Sequence, residues 1–335
     1  MGRSSGRWLG RARLRPIALL LAFLAQAGQA MAGPRESAAA VVGVRVEVTG
    51  EARTAKTLGR ERIGSGVVID NSGLILTIGY LVLEASGIEI VPQTGKAAPA
   101  EVVAYDHESG LGLIRATTPL GLEPVPLGSS AALKTGDPLL VLSLAGRLDG
   151  LPVTLADRRR FAGYWEYLLD DAIFTMPAHR EFGGAALLDR EGRLVGIGSL
   201  YVQDAVGEGI TSPGNMFVPI DALKPIMADL LAFGHRDAPP RPWLGLSVQD
   251  TPHGLVVVRV AEGGPAEKAG LAPGDQILAV ADQRVRTIGE LWDAVWRRGA
   301  AGVTVPFELG RKGVTQKLEI ASIDRSKWLR WRQSY

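Results

Sequence analysis

The chain has 335 residues, which is long enough for two or three domains of ordinary size. Its 42 glycines and 46% hydrophobic content are typical of a globular, turn-rich protein and exclude a disordered chain. It has no cysteine, which excludes disulfides, thiol nucleophiles and thiolate metal ligands.

The first 32 residues predict a cleaved signal peptide. Five arginines precede an apolar run at residues 16–25, and Ala30-Met31-Ala32 is a small-residue cleavage pattern. The apolar run has roughly 10 residues, whereas a membrane-spanning helix needs about 20. We therefore expect an exported, periplasmic protein. An uncleaved segment that anchors the chain to the inner membrane is the alternative.

The formal net charge of +2 gives no argument for nucleic-acid binding. Residues 1–32 contain these five arginines and no acidic residue, so the rest of the chain has a negative formal charge. A nucleic-acid partner would instead require a positively charged surface patch.

Residues 33–62 are predicted to form a leader and a charged loop, with an early strand at Val41–Val48. From residue 63 onward, short apolar runs alternate with turn residues, which is typical of β-strands. The runs lie at residues 63–70, 74–82, 88–91, 101–105, 111–115, 125–127, 138–144, 185–188, 194–197 and 216–220. Short strands at this spacing predict a β-sandwich or a pair of β-barrels.

Three further segments complete this part of the chain. Residues 146–163 are predicted to be an arginine-bearing surface loop, followed by an aromatic segment at 164–169. Residues 221–233 have the apolar spacing of a helix that Asp221 would cap. The polar segment 234–241 contains two prolines and predicts a linker between domains.

Residues 242–323 have the pattern of a second, smaller α+β domain. Strands are predicted at 243–248, 255–260, 276–280, 303–309 and 315–321, and a single helical turn at 265–269. A longer helix is predicted at 287–298, because Thr287 and Glu290, three residues later, form a capping box. Residues 324–335 are a basic and aromatic tail, for which we expect a frayed helix; contact with a membrane surface is the alternative.

Several sequence strings occur in an order that is similar to that of one protein family. In the first domain they are GSGVVID at 64–70, LTIGYLV at 76–82, SGLGLIR at 109–115, LGSSAALKTGDPLLVLS at 127–143, EFGGAALLDREGRLVGI at 181–197 and NMFVPIDALKP at 215–225. In the second they are WLGL at 243–246, GPAEKAGLAPG at 264–274 and DQILAV at 275–280. The chain thus resembles the HtrA/Deg family of exported trypsin-like serine proteases with a C-terminal PDZ domain. The resemblance implies a mainly β fold, with a trypsin-like double β-barrel domain at 41–233 and a small α+β PDZ domain at 242–323.

The positions that carry catalysis in this family are substituted here. A hydrolytic triad needs a hydroxyl nucleophile, an imidazole that takes its proton and a carboxylate that orients the imidazole. By the resemblance, Tyr80 stands at the histidine position, Gly110 at the aspartate position and Gly183 at the serine position. A phenol with a pKa near ~10 is a poor general base, and glycine has no side chain to react.

The oxyanion loop departs from the family pattern as well. Glu181 stands where a glycine is usual, and its carboxylate would repel a developing oxyanion. Together with the three substituted triad positions, this departure implies a pseudoprotease, a protease fold without catalysis.

The second domain could bind a partner without any catalysis. By the resemblance, a PDZ domain takes an extended C-terminal peptide as an added strand, and backbone N–H groups of a loop capture its carboxylate. That loop would consist of Trp243, Leu244, Gly245 and Leu246. Leu291 and Val295 would line the pocket for the terminal apolar side chain, with Ile288 as a further candidate, unless these side chains only form the domain core.

No other residue pattern predicts catalysis, a metal site or a cofactor. The chain has four histidines, and their spacing is not typical of metal ligands. His179 lies four residues before Gly183 and is a candidate for rebuilt chemistry, although the loop offers no matching serine. His107, His235 and His253 are predicted to be solvated.

Three functions are consistent with the sequence. The first is an exported, catalytically inactive HtrA-like protein that binds peptides or protein C-termini, as an adaptor, as a regulator of an active HtrA relative or as a chaperone-like factor. The second is an active serine endopeptidase of protein quality control whose catalytic site is displaced. The third is a membrane-tethered scaffold, which requires that residues 1–32 are retained. A homo-oligomer is compatible with all three.

Overall fold

The computed structural model describes residues 37–330. The predicted signal peptide, residues 33–36 of the leader and residues 331–335 of the tail lie outside the described residues. The described part is mainly β and contains two closed six-stranded barrels followed by a separate sheet. None of its helices is both long and apolar enough to span a membrane.

The first barrel consists of β1 (Val41–Val48), β2 (Glu61–Val68), β3 (Leu74–Ile78), β4 (Ala85–Val91), β5 (Ala98–Tyr105) and β6 (Leu111–Ala116). The strands are antiparallel and close in the order β1-β2-β3-β6-β5-β4. In β1, Val44 and Val46 point into the core while Arg45 between them is exposed, which is the alternation of a half-buried strand. Two short helices accompany this barrel: α1 (Ala55–Leu58) and α2 (Gly79–Val82).

The second barrel consists of β7 (Pro138–Ser143), β8 (Asp149–Gly163), β9 (Tyr167–Met176), β10 (Ala186–Leu188), β11 (Leu194–Val202) and β12 (Gly214–Pro219). These strands are also antiparallel and close in the order β10-β11-β12-β9-β8-β7. A 3₁₀ turn (Ile220–Ala222) and helix α3 (Met227–Phe233) follow the barrel.

The prediction of a surface loop at 146–163 is wrong. Most of this segment is β8, which pairs with β9 to form a long hairpin. Three consecutive arginines made the segment look like a solvated loop, but acidic side chains accept hydrogen bonds from each of them. The pairs are Arg158 with Asp171, Arg159 with Asp157 and Asp204, and Arg160 with Asp170.

The prediction of one helix over 221–233 is wrong in its first half. The helix begins only at Met227, because Pro225 lacks a backbone N–H and disfavours helical geometry in the residue before it. Asp221 does not cap this helix. Its carboxylate accepts hydrogen bonds from the backbone N–H of Ala131 and the hydroxyl of Ser130, which ties the loop after the first barrel to the end of β12.

The C-terminal sheet consists of β13 (Leu246–Thr251), β14 (Gly254–Val260), β15 (Gln276–Val280), β16 (Gln283–Arg284), β17 (Thr304–Arg311) and β18 (Val314–Ala321). Its order is β13-β14-β15-β17-β18, with β16 beside β15, so that β13 is an edge strand. Two helices belong to this domain: α4 (Pro265–Lys268) and α5 (Ile288–Trp296). The predicted cap of α5 is confirmed, since the Thr287 hydroxyl accepts the backbone N–H of Glu290 at 3.2 Å.

The described part of the tail, residues 324–330, packs between the domains. It forms helix α6 (Arg325–Trp328), and the Trp328 ring lies 4.8 Å from the Trp243 ring, centroid to centroid. The backbone N–H of Arg330 donates to the buried carboxylate of Glu84 in the first barrel.

The prediction that His107 is solvated is wrong, because Arg325 packs on its ring. Burial, and then the charge of Arg325, lower the pKa of this histidine.

Candidate functional site

The cleft between the two barrels brings Tyr80 and Gly183 together. Tyr80 lies in α2 of the first barrel, and its hydroxyl donates to the backbone oxygen of Ser199 in the second barrel at 3.1 Å. A Cβ placed on Gly183 would lie 2.9 Å from this hydroxyl, so the phenol fills the space of a side chain there. Burial raises the pKa of Tyr80, and the phenol therefore stays protonated near neutral pH.

Gly110 precedes β6 and lies beside the residue before Tyr80, since its carbonyl accepts the N–H of Gly79 at 2.7 Å. Its φ is +78°, which is a conformation that favours glycine. A Cβ on Gly110 would face the ring of Tyr167 at 3.4 Å, and this phenol donates to the carbonyl of Ser109. The position expected for an orienting carboxylate is therefore bordered by a buried aromatic ring.

The backbone N–H of Glu181 is engaged by a histidine. It donates to Nδ1 of His179 at 3.1 Å, and the side-chain amide of Asn215 holds the backbone of His179 through two hydrogen bonds. The His179 side chain is 2% exposed, and burial lowers its pKa, opposed by the nearby carboxylates of Asp149 and Glu181. A neutral ring with Nδ1 as the acceptor has its proton on Nε2, 3.6 Å from Asp149.

The Gly-Gly turn before β10 is a structural joint between the barrels. The carbonyl of Gly183 accepts the N–H of Ser65 in β2 at 2.8 Å, and the N–H of Gly184 donates to Gly198 at 2.9 Å. Gly184 has a φ of +74°, and a Cβ on it would overlap the Ser65 carbonyl oxygen. Backbone packing thus requires a glycine at position 184, whereas a Cβ on Gly183 would meet only the side chain of Tyr80.

The loop 243–246 of the C-terminal domain binds a carboxylate, which comes from the same chain. The backbone N–H groups of Leu244, Gly245 and Leu246 donate to the side chain of Glu166 at 2.8, 2.7 and 3.0 Å. Glu166 lies at the turn of the β8–β9 hairpin and is 3% exposed. The N–H of Trp243, the fourth residue of the predicted loop, donates instead to the carbonyl of Ile323. Three of the four residues therefore present their donors to one carboxylate, and all three donors are occupied.

Glu166 has a backbone conformation and a pKa that are both unusual for a glutamate. Its φ of +60° is rare for a residue with a Cβ. Burial raises its pKa to about 7, although the three N–H donors and the charge of Arg325 oppose this rise.

The residues expected to line the apolar pocket lie on α5 as predicted. Leu291 and Val295 are fully buried, and Ile288 is partly buried. They belong to one apolar cluster with Leu246 and with Leu168 of β9. The hairpin thus contributes an apolar side chain to the core of the C-terminal domain, in addition to its carboxylate.

Sequence reasoning missed Glu166 and the hairpin that presents it. The sequence showed the aromatic segment 164–169, but a single glutamate within it forms no pattern that predicts binding to the loop 243–246. The only local signal is its position between Trp165 and Tyr167, whose stacked rings are 5.7 Å apart and hold the turn. Within residues 37–330 the structure also brings together no group of three His, Asp or Glu side chains that could hold a metal ion.

Two family models match the chain. One describes a trypsin-like peptidase domain and matches residues 64–197, and the other describes a PDZ domain and matches residues 242–321. The protein HhoA of Synechocystis is 30% identical over 247 residues, which cover 65% of this chain and 59% of HhoA. The serine protease Do-like HtrA of Bacillus subtilis is 24% identical over 292 residues, which cover 77% of this chain and 63% of that protein. The chain thus spans less than two thirds of the length of these curated relatives.

Solved structures show the same fold. An HtrA-type protease, AlgW with a decapeptide, superposes with a TM-score of 0.53 at 22% identity, covering 91% of this chain and all of that one. The serine endoprotease of Yersinia pestis superposes with a TM-score of 0.51 at 23% identity, covering 87% of this chain and 96% of that one. The chain therefore consists of a trypsin-like peptidase domain followed by a PDZ domain, in the fold and order of HtrA-type proteases.

Proposed function

We propose that this chain is an exported, catalytically inactive HtrA-type protein that acts by binding peptides or protein C-termini through its PDZ domain. One observation supports the inactivity above all. The Tyr80 hydroxyl lies 2.9 Å from the point where a side chain on Gly183 would begin, so base and nucleophile are both replaced and their space is filled. The engaged N–H of Glu181 adds a second obstacle, because an oxyanion needs free donors.

The binding part of the proposal rests on the loop 243–246. Its three backbone donors converge on one carboxylate, as a PDZ loop requires for a peptide terminus. AlgW, which has the same fold, was solved with a decapeptide. An adaptor, a regulator of an active HtrA relative and a chaperone-like factor would all use this binding site, and none of them needs a cofactor.

Incubation with a fluorophosphonate probe and with unfolded casein tests the inactivity. Wild type, Gly183→Ala and heat-denatured wild type should all show the same background labelling and no cleavage, while an active HtrA protease serves as positive control. Heat-sensitive labelling of the wild type, or cleavage that changes when Tyr80 is substituted, would contradict the proposal.

An active serine endopeptidase is the second candidate, because the relatives from Bacillus subtilis and Bos taurus are named as serine proteases. Its catalytic site would have to be displaced from Tyr80, Gly110 and Gly183. His179, which precedes the Gly-Gly turn by four residues, forms a histidine–carboxylate pair with Asp149. If this candidate is right, His179→Ala abolishes cleavage of casein; under the first proposal there is no cleavage to lose.

The proposal includes export of the protein, and a membrane-tethered scaffold is the alternative to a cleaved signal peptide. Relatives from Hahella chejuensis and Pseudomonas putida are named as periplasmic DegP-like endoproteases, which supports a periplasmic location. N-terminal sequencing of the mature protein distinguishes a cleaved signal peptide from a membrane-tethered scaffold that retains residues 1–32. Light scattering on the purified protein determines whether it is a homo-oligomer.

A further inference from the structure

The side chain of Glu166 occupies the position that the terminal carboxylate of a peptide would need. Every N–H donor of residues 244–246 points at its two carboxylate oxygens. An incoming carboxylate therefore finds these donors free only after Glu166 has left. A buried acid held by three consecutive backbone donors is a ligand in a binding loop rather than a chance surface contact.

The backbone before Glu166 also takes the place of an added strand. The carbonyl of Tyr164, two residues earlier, accepts the N–H of Val248 in β13 at 2.9 Å. Since β13 is the edge of its sheet, a peptide that adds a strand would make this bond with its own carbonyl. The turn of the β8–β9 hairpin thus accepts hydrogen bonds both from the carboxylate-binding loop and from the edge of the sheet.

The opposite wall of the groove, helix α5, holds the hairpin as well. The indole N–H of Trp292 donates to the carbonyl of Gly163 at 2.8 Å, and Trp292 is fully buried. Arg160 forms a two-bond pair with the carboxylate of Asp293, at 2.6 and 2.8 Å. The hairpin is therefore fixed on both sides of the groove into which a peptide would bind.

The strained backbone of Glu166 supports a functional role for its side chain. A glycine would adopt a φ of +60° without strain, whereas a residue with a Cβ is strained in this conformation. The chain nevertheless has a glutamate at this turn, and its side chain makes the three bonds to the loop.

We propose that the tip of the β8–β9 hairpin, residues 163–167, is an internal ligand that closes the PDZ groove. A peptide with a free C-terminal carboxylate binds only by displacing this hairpin tip, so the protease-fold domain controls access to the PDZ domain. The inference rests on the proposed function and names the regulation of that binding site.

The contacts that hold the hairpin tip are suited to release. Tyr164 is 54% exposed, and both partners of the Arg160–Asp293 pair are partly exposed. Beyond the tip, β8 and β9 stay paired with each other and with the rest of the second barrel. At the end of the tip, Tyr167 is buried against the barrels and donates to the carbonyl of Ser109, so displacement has to move or bend the chain before this residue.

Peptide binding to the whole protein tests the proposal. The probes are fluorescein-labelled decapeptides that end in Val, Leu or Phe, each with a free carboxylate or with an amidated terminus, and the readout is fluorescence anisotropy. We expect Glu166→Ala to bind the acid peptides at least tenfold more tightly than wild type. The amidated peptides should not bind, and the matched control Glu123→Ala, a substitution in an exposed loop, should behave like wild type.

Each other outcome overturns a different statement. Equal affinity of wild type and Glu166→Ala for the acid peptides refutes the internal ligand but leaves PDZ peptide binding intact. Absence of binding in every variant refutes the proposed binding function and the internal ligand with it. Weaker binding by Glu166→Ala would mean that the hairpin supports the peptide instead of competing with it.

A disulfide provides a second test that leaves Glu166 unchanged. A Cβ on Gly289 in α5 would lie 3.8 Å from the Cβ of Ala162 in β8, which is the usual Cβ separation in a disulfide. Because the chain has no other cysteine, the variant Ala162→Cys with Gly289→Cys can form only this bridge within one molecule. We expect the oxidised protein to lose peptide binding and the reduced protein to recover it. Equal binding in both states would refute the proposal, and the two single-cysteine variants control for the substitutions.

Discussion

The inter-barrel cleft and the PDZ groove are both filled by side chains of the same chain, but in different ways. In the cleft, under the proposed function, the reactive groups themselves are replaced, and Tyr80 packs where a nucleophile and its base would stand. In the groove the binding groups are all present, and Glu166 occupies them. Under the two proposals, the first kind of filling is fixed by covalent structure, whereas the second is an equilibrium that a competing carboxylate can shift.

Under the proposed function, this difference separates a site that has lost its chemistry from a site that can still bind. Loss of a catalytic side chain cannot be reversed by a conformational change, and the hydroxyl that lies beside Gly183 belongs to the protonated phenol of Tyr80. An occupied loop keeps its full hydrogen-bonding capacity and needs only the exchange of one carboxylate for another.

The largest effect is expected from the Gly-Gly turn of the cleft. Gly184→Ala should destabilise the protein by about 3 kcal/mol or more, because φ is +74° and the new methyl group would overlap the Ser65 carbonyl oxygen. Gly183→Ala is the matched control and should cost much less, since the new methyl group meets only the far end of the Tyr80 side chain. Urea unfolding measures both. Equal loss in the two variants would show that the turn is not the structural joint described here.

A pH-dependent stability is expected from the groove. The pKa of Glu166 is raised from its ordinary value of 4.5 to about 7 by burial, so the folded protein holds this proton more tightly than the unfolded chain does. Its contribution is therefore most favourable below pH 4.5 and is lost as the pH rises through 7. The stability of wild type relative to Glu166→Gln should fall across this window by on the order of 3 kcal/mol.

Comparison of wild type with Glu166→Gln isolates the contribution of the Glu166 carboxyl group from that of the groups around it. The titratable and charged groups that face it are the same in both proteins: His107, Glu108, Tyr167, Arg241 and Arg325. Urea unfolding between pH 4.5 and 8 gives the difference at each pH. A difference that does not change with pH would mean that the pKa of Glu166 is the same in the folded protein and in the unfolded chain.

Sequence patterns predicted those parts of the molecule that local physics determines. The alternating valines of β1, the cap at Thr287 and the apolar residues Leu291 and Val295 of α5 can all be read within a few positions. The likeness to a peptidase domain followed by a PDZ domain was also visible, because short glycine-containing strings keep their spacing. The substituted positions 80, 110 and 183 were found through those strings and remain proposals about activity.

The occupied groove could not be predicted, since it depends on contacts between distant parts of the chain. Glu166 is 78 to 80 residues away from the three donors that bind it. The hairpin itself was hidden because Arg158, Arg159 and Arg160 look like a solvated run until their acidic partners are known. His179 was noticed, but its role at the N–H of Glu181 depends on Asn215, 36 residues later.

A smaller effect is expected from the ion pair at the rim of the groove. Arg160→Ala should tighten binding of the acid peptides only about two- to fivefold, because both side chains are partly exposed and such pairs contribute about 1 kcal/mol or less. The effect should shrink in high salt. Arg45→Ala is the control, since it removes a similarly exposed pair with Glu89 in the first barrel and should leave peptide binding unchanged. A larger effect in the control would mean that net charge, not the hairpin, governs binding.

The smallest effect is expected where the reactive side chains are put back. The triple variant Tyr80→His, Gly110→Asp and Gly183→Ser should not cleave casein above background. The N–H of Glu181 would still donate to His179, and loss of one oxyanion donor alone costs about 10²–10³ in rate. An Asp at position 110 would also have to adopt a φ of +78° beside the ring of Tyr167, which is a strained conformation for a residue with a Cβ.

Addition of His179→Ala to the triple variant distinguishes the two obstacles. It frees the N–H of Glu181, so a rate that appears only in this fourfold variant would locate the remaining defect in the oxyanion loop. Strong cleavage by the triple variant itself would instead show that the cleft had lost only its reactive groups. The contrast between a cleft that is packed shut and a groove that is merely occupied would then no longer hold.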